Sequence, residues 1–194
     1  MNSNELNELI KNRRSVFPKM YSDEPISKEV IQQILENANW APTHRFTEPW
    51  RFIVYEGEGL KELAVMQSDL YRKNALADGT YEEHKYQKLA KQPTKASHVI
   101  AIYMHRDPEE SVREVEEIAS VAMAVQNMYL TATSYGVGCY WGTGGVTYMN
   151  GVKELFGIEE KDRFMGFLYL GNIKGDLAGQ GLRNPIADKV KWVG

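Results

Sequence analysis

Residues 134–146 read SYGVGCYWGTGGV and place a short predicted strand between two groups of glycines. From about residue 111 to 135, apolar side chains recur at helical spacing on more than one face, which predicts a long helix in the core or at a subunit interface. Gly136 and Gly138 suit a tight turn after that helix. The second group, residues 142–145, exceeds the needs of a turn, so we expect its backbone N–H groups to approach a flat ligand.

On both sides of this stretch, hydrophobic periodicity predicts helices and strands, and Pro and Gly residues mark where they end. Helices are expected near residues 6–13, 28–41, 60–71, 111–135 and 150–156, and strands over 50–55, 98–104, 139–141 and 164–170. Residues 72–94 are polar without a firm period, which favours a helical excursion or a lid. The order predicts an α+β (α/β layered) domain around one sheet, spanning residues 1–194.

Composition excludes several classes of partner. A net charge of −3 and a pI near 5.9 give no broad positive field, so no nucleic acid partner is expected. Cys139 is the one cysteine, which rules out an intrachain disulfide and favours a reducing compartment, so a cytoplasmic location is expected. The sequence carries no apolar run of membrane-spanning length, and its four histidines show no metal-ligand spacing, so neither a membrane nor a metal is expected.

Arg13, Arg14 and Ser15 close the first predicted helix. Arg13 continues its apolar stripe, so the guanidinium is expected to point inward, where a buried cation needs an anionic partner. Two forked cations beside a hydroxyl suit a phosphate monoester. The alternative is a pair of cations completing the negative end of a helix dipole, and local evidence by itself favours this second interpretation.

Residues 41–50, APTHRFTEPW, form a long polar turn between a helix and a strand. Loops in such positions often carry ligands. His44 is able to donate a hydrogen bond to a ligand oxygen or to cap the turn, and spacing alone favours the cap. The glycines near residue 140 do not complete a dinucleotide fingerprint or a GK[ST] phosphate loop, so neither nucleotide motif is present.

Taken together and in order, four features resemble the FMN-dependent nitroreductase family, in particular its compact branch. They are the Arg13-Arg14-Ser15 segment, APTHRFTEPW, the glycine cluster after a long helix, and residues 166–171, GFLYLG. The resemblance covers almost the whole chain. It implies a central, mostly antiparallel sheet flanked by helices, and an interlocked homodimer with two FMN sites built from both subunits.

The resemblance also implies three groups of FMN-binding residues: one for the ribityl phosphate and the pyrimidine edge, one along the flavin, and one from the partner subunit. Carried over by position, these are Arg13, Arg14 and Ser15; Gly142, Thr143 and Gly144; and Trp40 with His44. Arg183 resembles a C-terminal basic residue that neutralises the phosphate. The nicotinamide nucleotide is assigned to Thr133, Ser134, Tyr135, Gly136, Val137 and Gly138.

The chain departs from the family pattern in the polar turn. Phe46 stands where many members have Asn or Ser, and Glu48 stands where they have Gln. Trp40 replaces a position that is arginine in some compact members. These changes alter the groups that would contact the flavin or the acceptor.

The implied activity is electron transfer from NADH or NADPH to a small organic acceptor, such as a nitroaromatic, a quinone or an activated alkene, in a ping-pong cycle. No side chain is required as a catalytic group, because the flavin carries the chemistry. Two alternatives stay open: a flavin-binding carrier or sensor without NAD(P)H turnover, and a structural protein whose arginines and glycines serve packing. The natural acceptor and the preferred nicotinamide are left open by the residues.

Overall fold

A computed structural model describes residues 2–176 and 181–194. The helices are α1 (Ser3–Asn12), α2 (Lys28–Asn39), α3 (Glu58–Ala77), α4 (Glu83–Leu89), α5 (Glu114–Ser134) and α6 (Val152–Phe156). The strands are β1 (Trp50–Glu56), β2 (His98–Met104), β3 (Val137–Gly142) and β4 (Arg163–Asn172). Each predicted helix and strand is confirmed in its place, and α4 is an addition within the polar segment.

The four strands form one sheet in the order β1-β2-β4-β3, and every neighbouring pair is antiparallel. Side chains alternate across β2, so Ile100 and Ile102 pack with α2 and α5 on one face. Val99 and Ala101 pack with α3 and α6 on the other face. The predicted α+β layering around one mostly antiparallel sheet is therefore confirmed.

Helix α1 differs from the sequence expectation. No residue of α1 is buried, and Leu6 and Ile10 are 39% and 49% exposed. Within the described chain the apolar stripe is only partly covered, because α1 lies at the periphery, where it contacts α5 and Leu9 is half-buried. Arg13 is half-buried, and its guanidinium faces the buried ring of Tyr129 on α5. The side chain therefore points toward α5, as the stripe predicts, without being enclosed by the core.

Residues 72–94 form an ordered helical excursion. Helix α3 runs on to Ala77, and α4 packs back against it. The hydroxyl of Tyr71 accepts a hydrogen bond from the backbone N–H of Glu82 at 2.9 Å. The ring of Tyr81 lies with its centroid 5.9 Å from that of Tyr71, and the Arg72 guanidinium lies 5.4 Å from the centre of the Tyr86 ring. These contacts fasten α4 to α3; whether the segment opens as a lid stays a prediction.

A β-bulge in β4 shapes the end of β3. The register between β2 and β4 shifts after Ile102, and Gly166 takes a φ of +99°. A Cβ atom at Gly166 would lie 2.4 Å from the carbonyl oxygen of Gly142. Only glycine permits this approach, so the GFLYLG stretch begins with glycine for a packing reason.

Within the described ranges, 2–176 and 181–194, no helix combines the length and the apolar character that crossing a membrane would require.

Candidate functional site

The segment that ends α1 lines an open cavity of about 1100 Å³. Residues near the C-terminus return to the same place, so Arg183 joins Arg13, Arg14 and Ser15 in the lining. Gln126 of α5 forms part of the wall. The structure thus brings together the predicted phosphate-binding residues from both ends of the chain. We call this space the arginine cavity.

Tyr129 of α5 organises the arginine cavity. The Arg13 guanidinium carbon lies 5.1 Å from the centre of the Tyr129 ring, which is a cation–π arrangement. The Tyr129 hydroxyl accepts the backbone N–H of Trp141 at 2.7 Å and lies 3.4 Å from the Ser15 hydroxyl. Burial raises the pKa of Tyr129, so the phenol stays protonated. One tyrosine therefore connects Arg13 and Ser15 to strand β3.

The electrostatics of the arginine cavity favour an anion. Glu8 also lines it, but Lys11 pairs with Glu8 at 3.0 Å. No carboxylate in the described part of the chain lies within ion-pair distance of Arg13. A phosphate monoester, which carries up to two negative charges, suits these forked donors.

A second cavity, of about 500 Å³, lies between α3, α4 and the end of β3. Gly142, Gly144 and Gly145 line one part of it. Aromatic rings and long polar side chains line the rest: Tyr71, Tyr140, Phe167 and Tyr169, with Gln67, Lys85, Lys88 and Gln92. We call this space the aromatic cavity.

The two cavities are neighbours. Phe17 follows Ser15 by two residues, and its ring centroid lies 4.6 Å from that of Tyr140, which lines the aromatic cavity. The backbone N–H of Val16 bonds to the carbonyl of Cys139 at 2.9 Å, so the segment after α1 runs beside β3. The two linings share no residue, so the segment that carries Phe17 separates the two cavities beside β3.

We call residues 142–145 the glycine bend, and it leaves room for a flat ligand at Gly144. A Cβ added there would meet no atom within 4 Å, whereas one at Gly142 would lie 3.2 Å from the Tyr140 ring. Thr143, between them, is exposed. Gly142 is therefore explained by packing, and Gly144 is open on the side where a Cβ would project.

Trp40 and His44 line neither cavity. Trp40 is 77% exposed, and its indole N–H donates to Glu36 at 3.0 Å. His44 is exposed in a short turn in which Arg45 and Phe46 adopt positive φ angles of 52° and 56°. Such backbone strain persists only where the surroundings hold it. In a single chain these residues do not reach the arginine cavity, and a contribution from a partner subunit stays a prediction.

The stretch assigned to the nicotinamide, residues 133–138, is exposed in one part and buried in the other. Val137 and Gly138 are buried in β3, and a Cβ at Gly138 would lie 2.7 Å from the Tyr21 ring. Ser134, Tyr135 and Gly136 are exposed at the end of α5. None of the residues 133–138 lines either cavity. Gly138 has a packing role, and the part of this stretch that a nucleotide is able to reach is its exposed end.

Sequence reasoning missed the side chains that shape both cavities. Neither Tyr129 nor Gln67 belongs to a motif that marks a ligand site. Lys85 and Lys88 belong to the polar segment 72–94, and both line the aromatic cavity. Their spacing on α4 carries no signal of this placement, because the position of α4 depends on Tyr71 and residues that follow it. The polar lid segment was the one available hint.

Cys139 is excluded as a nucleophile. It is 1% exposed, and burial raises its thiol pKa well above the usual range. In the described parts of the chain, no three His, Cys, Asp or Glu side chains come together as a metal site.

Comparison with known proteins gives a consistent match. Residues 10–172 match the Nitroreductase family. A Bacillus subtilis protein provisionally named NAD(P)H nitroreductase YfhC is 30% identical over 166 residues, which cover 86% of this chain and 83% of that protein. Among solved structures, a nitroreductase-like family protein from Bacillus cereus has a TM-score of 0.82 and 28% identity, covering 100% of this chain and 98% of the other.

A nitroreductase with bound FMN from Bacteroides fragilis has a TM-score of 0.71 and 24% identity, covering 99% of this chain and 100% of that one. This match supports the fold. The family match and the Bacillus subtilis relative go further, and they confirm the oxidoreductase class that the resemblance implied. The chain belongs to the nitroreductase family.

Proposed function

We propose that this protein binds FMN non-covalently and transfers electrons from NADH or NADPH to a small organic acceptor. The observation that carries the proposal is the convergence of Arg13, Arg14, Ser15 and Arg183 in one cavity. The name of the Bacillus subtilis relative and the FMN in the Bacteroides fragilis structure support the choice of cofactor and donor.

The arginine cavity would hold the phosphate of FMN. Arg13 is kept in place by the Tyr129 ring, and Ser15 lies beside the Tyr129 hydroxyl. Charge-assisted hydrogen bonds from guanidinium groups are stronger than neutral ones and are directional. Arg183 brings an additional cation from the C-terminal segment. These residues bind and orient the cofactor and take no part in bond making.

The glycine bend would receive the flat ring system. Gly144 has space where a Cβ would project, so the backbone at residues 142–144 is able to approach a planar ligand. The chemistry supplied by bound FMN is a ping-pong exchange of electrons, first from NAD(P)H and then to a nitroaromatic, quinone or activated alkene. Backbone N–H groups and cations near the ring would stabilise the negative charge that reduction places on it.

We further propose a homodimer. The α1 stripe leaves Leu6 and Ile10 partly exposed, and Val115 and Met123 on α5 are 66% and 39% exposed. Exposed apolar residues clustered on adjoining helices favour a protein interface. A partner would also supply Trp40 and His44 to the site. Ile10→Asp is expected to shift the dimer to monomer in light scattering, whereas Leu76→Asp, at a 62% exposed position on α3, should leave the mass unchanged.

The exposed end of the 133–138 stretch is retained as the proposed contact for the nicotinamide nucleotide. The proposal also keeps residues 1–194 as one domain and the cytoplasm as the compartment, supported by the single sheet and by one buried, reduced cysteine.

The test begins with colour. Purified protein should be yellow, or should take up added FMN, and should then oxidise NADH or NADPH steadily when a quinone or nitroaromatic is added. A protein that binds FMN but never turns over would favour the carrier or sensor. A colourless protein that takes up no FMN would refute both the flavin enzyme and the flavin carrier or sensor.

A further inference from the structure

Gln67 presents an amide donor without a partner inside the aromatic cavity. Its side chain lines the cavity and is 1% exposed. Its Nε2 atom is the one buried side-chain nitrogen or oxygen in the described part of the chain that has no hydrogen-bond partner. Burial raises the pKa of the neighbouring Tyr169 phenol to about 12, and the Gln67 amide opposes that rise. The Tyr169 hydroxyl nevertheless does not accept a hydrogen bond from Nε2.

An unsatisfied buried donor lowers stability, so its presence indicates a task other than folding. The space in front of Gln67 is about 500 Å³, which suits a small molecule. Rings of Tyr71, Tyr140 and Phe167 form apolar walls, which suit a planar aromatic compound. The missing partner is then an oxygen acceptor on such a compound.

Two lysines that line the aromatic cavity favour a ligand with a negative charge. Lys85 and Lys88 lie one turn apart on α4, and both line the space. Lys85 pairs with Glu82, whereas no carboxylate among residues 2–176 and 181–194 lies within ion-pair distance of Lys88. Lys88 therefore leaves an uncompensated positive charge beside the aromatic walls.

We infer that the part of the aromatic cavity lined by Gln67, Tyr71 and Lys88 binds the electron acceptor, beside the flavin ring proposed at the glycine bend. The Gln67 amide donates to a nitro or carbonyl oxygen of that acceptor, and Lys88 selects acceptors carrying an anionic group. This inference rests on the proposed function and narrows its substrate class to anionic aromatic compounds. Gln67 is a substrate-binding residue, and Lys88 is the residue that determines specificity.

The first arm of the test replaces the donor with an apolar side chain of similar size. Gln67→Met should raise Tm by about 2–4 °C, because a desolvated donor is removed. It should also lower kcat/KM for nitrobenzene and for para-nitrobenzoate by roughly tenfold through loss of one hydrogen bond. FMN affinity should not change. A lower Tm with unchanged kcat/KM would make the amide structural and overturn the inference, as would weakened FMN binding.

The second arm tests the charge. Lys88→Ala should lower kcat/KM for para-nitrobenzoate by roughly fivefold, a change expected of one partly exposed ion pair, and leave nitrobenzene unchanged. Lys91→Ala is the matched control, since it removes the same charge from the same segment but does not line the cavity. Equal effects of Lys88→Ala on the two compounds, or equal effects of the two lysine variants on para-nitrobenzoate, would overturn the selection.

Calorimetric binding of para-nitrobenzoate separates this inference from the proposed function. Wild-type protein should bind it, and Gln67→Met and Lys88→Ala should bind it more weakly than Lys91→Ala. Such a pattern in a protein that takes up no FMN would support the cavity assignment and refute the flavin enzyme. Absence of binding to wild-type protein that does hold FMN and turns over quinones would overturn the cavity assignment alone.

Discussion

The arginine cavity and the aromatic cavity are built differently. The first is formed mainly by one continuous segment, residues 8–15, with Arg183 closing from the tail. The second takes its walls from α3, α4, β3 and β4, which are far apart in sequence. The first offers forked cations, and the second offers rings and one unpaired amide. Charge recognition is thus encoded locally, whereas shape recognition depends on the assembled sheet.

The largest expected effect concerns the aromatic cavity, which depends on the assembled sheet. Gly166→Ala places a Cβ 2.4 Å from the Gly142 carbonyl oxygen and forces alanine to a φ of +99°. Strain and overpacking together should lower the free energy of unfolding by about 3–5 kcal/mol. Urea unfolding followed by circular dichroism measures this loss.

Gly144→Ala is the matched control for Gly166→Ala. It adds the same methyl group where nothing lies within 4 Å, at an extended φ of −94°. Its stability should change by less than about 1 kcal/mol, while FMN affinity falls, because the methyl group occupies the proposed path of the ring. Equal stability losses in the two variants would contradict the packing role of Gly166, and unchanged FMN affinity would remove Gly144 from the site.

The second largest effect tests the arginine cavity, which is formed mainly by one continuous segment. Arg13→Ala should weaken FMN binding by about 1.5–3 kcal/mol, the range for a hydrogen bond to a charged group, measured by fluorescence titration. Arg13→Lys should fall between wild type and Arg13→Ala, since lysine keeps the charge but loses the fork. Lys19→Ala, an exposed change of equal charge outside the cavity lining, should bind FMN as wild type does. Normal affinity in Arg13→Ala would place the phosphate elsewhere.

The same contrast explains what the sequence could predict. The strands were predicted from short apolar or aromatic runs, because a continuous apolar run such as that of β2 reflects burial on both faces of a sheet. The sequence could predict that Arg13 and Ser15 belong to the same site, because they lie within three residues of each other. The burial of α1 could not be predicted, since Leu6 and Ile10 stay partly exposed in the single chain and periodicity does not state what covers a helix.

The aromatic cavity could not be predicted in this way. Gln67 and Lys88 belong to segments whose mutual placement depends on the Tyr71–Glu82 contact and on the bulge at Gly166. Neither contact leaves a periodic pattern. An unpaired amide becomes visible only when its surroundings are known, so the substrate side of the site required the structure.

The smallest effect examines the link between the two cavities. Tyr129→Phe keeps the ring beneath Arg13 but removes the hydroxyl that accepts the Trp141 N–H and lies near Ser15. The orphaned N–H should lower the free energy of unfolding by about 1 kcal/mol, while FMN affinity should fall less than in Arg13→Ala, because the cation stays in place. Tyr148→Phe, at an 81% exposed ring, should leave both quantities unchanged.

The double variant Arg13→Ala, Tyr129→Phe completes this last test. If the Tyr129 hydroxyl orients Ser15 toward the same phosphate that Arg13 binds, the double variant should lose less FMN affinity than the sum of the two single losses. Strict additivity would mean that the hydroxyl acts only on β3 and the fold. In that case the hydroxyl would not be coupled to phosphate binding, and charge and shape recognition would be independent parts of the same site.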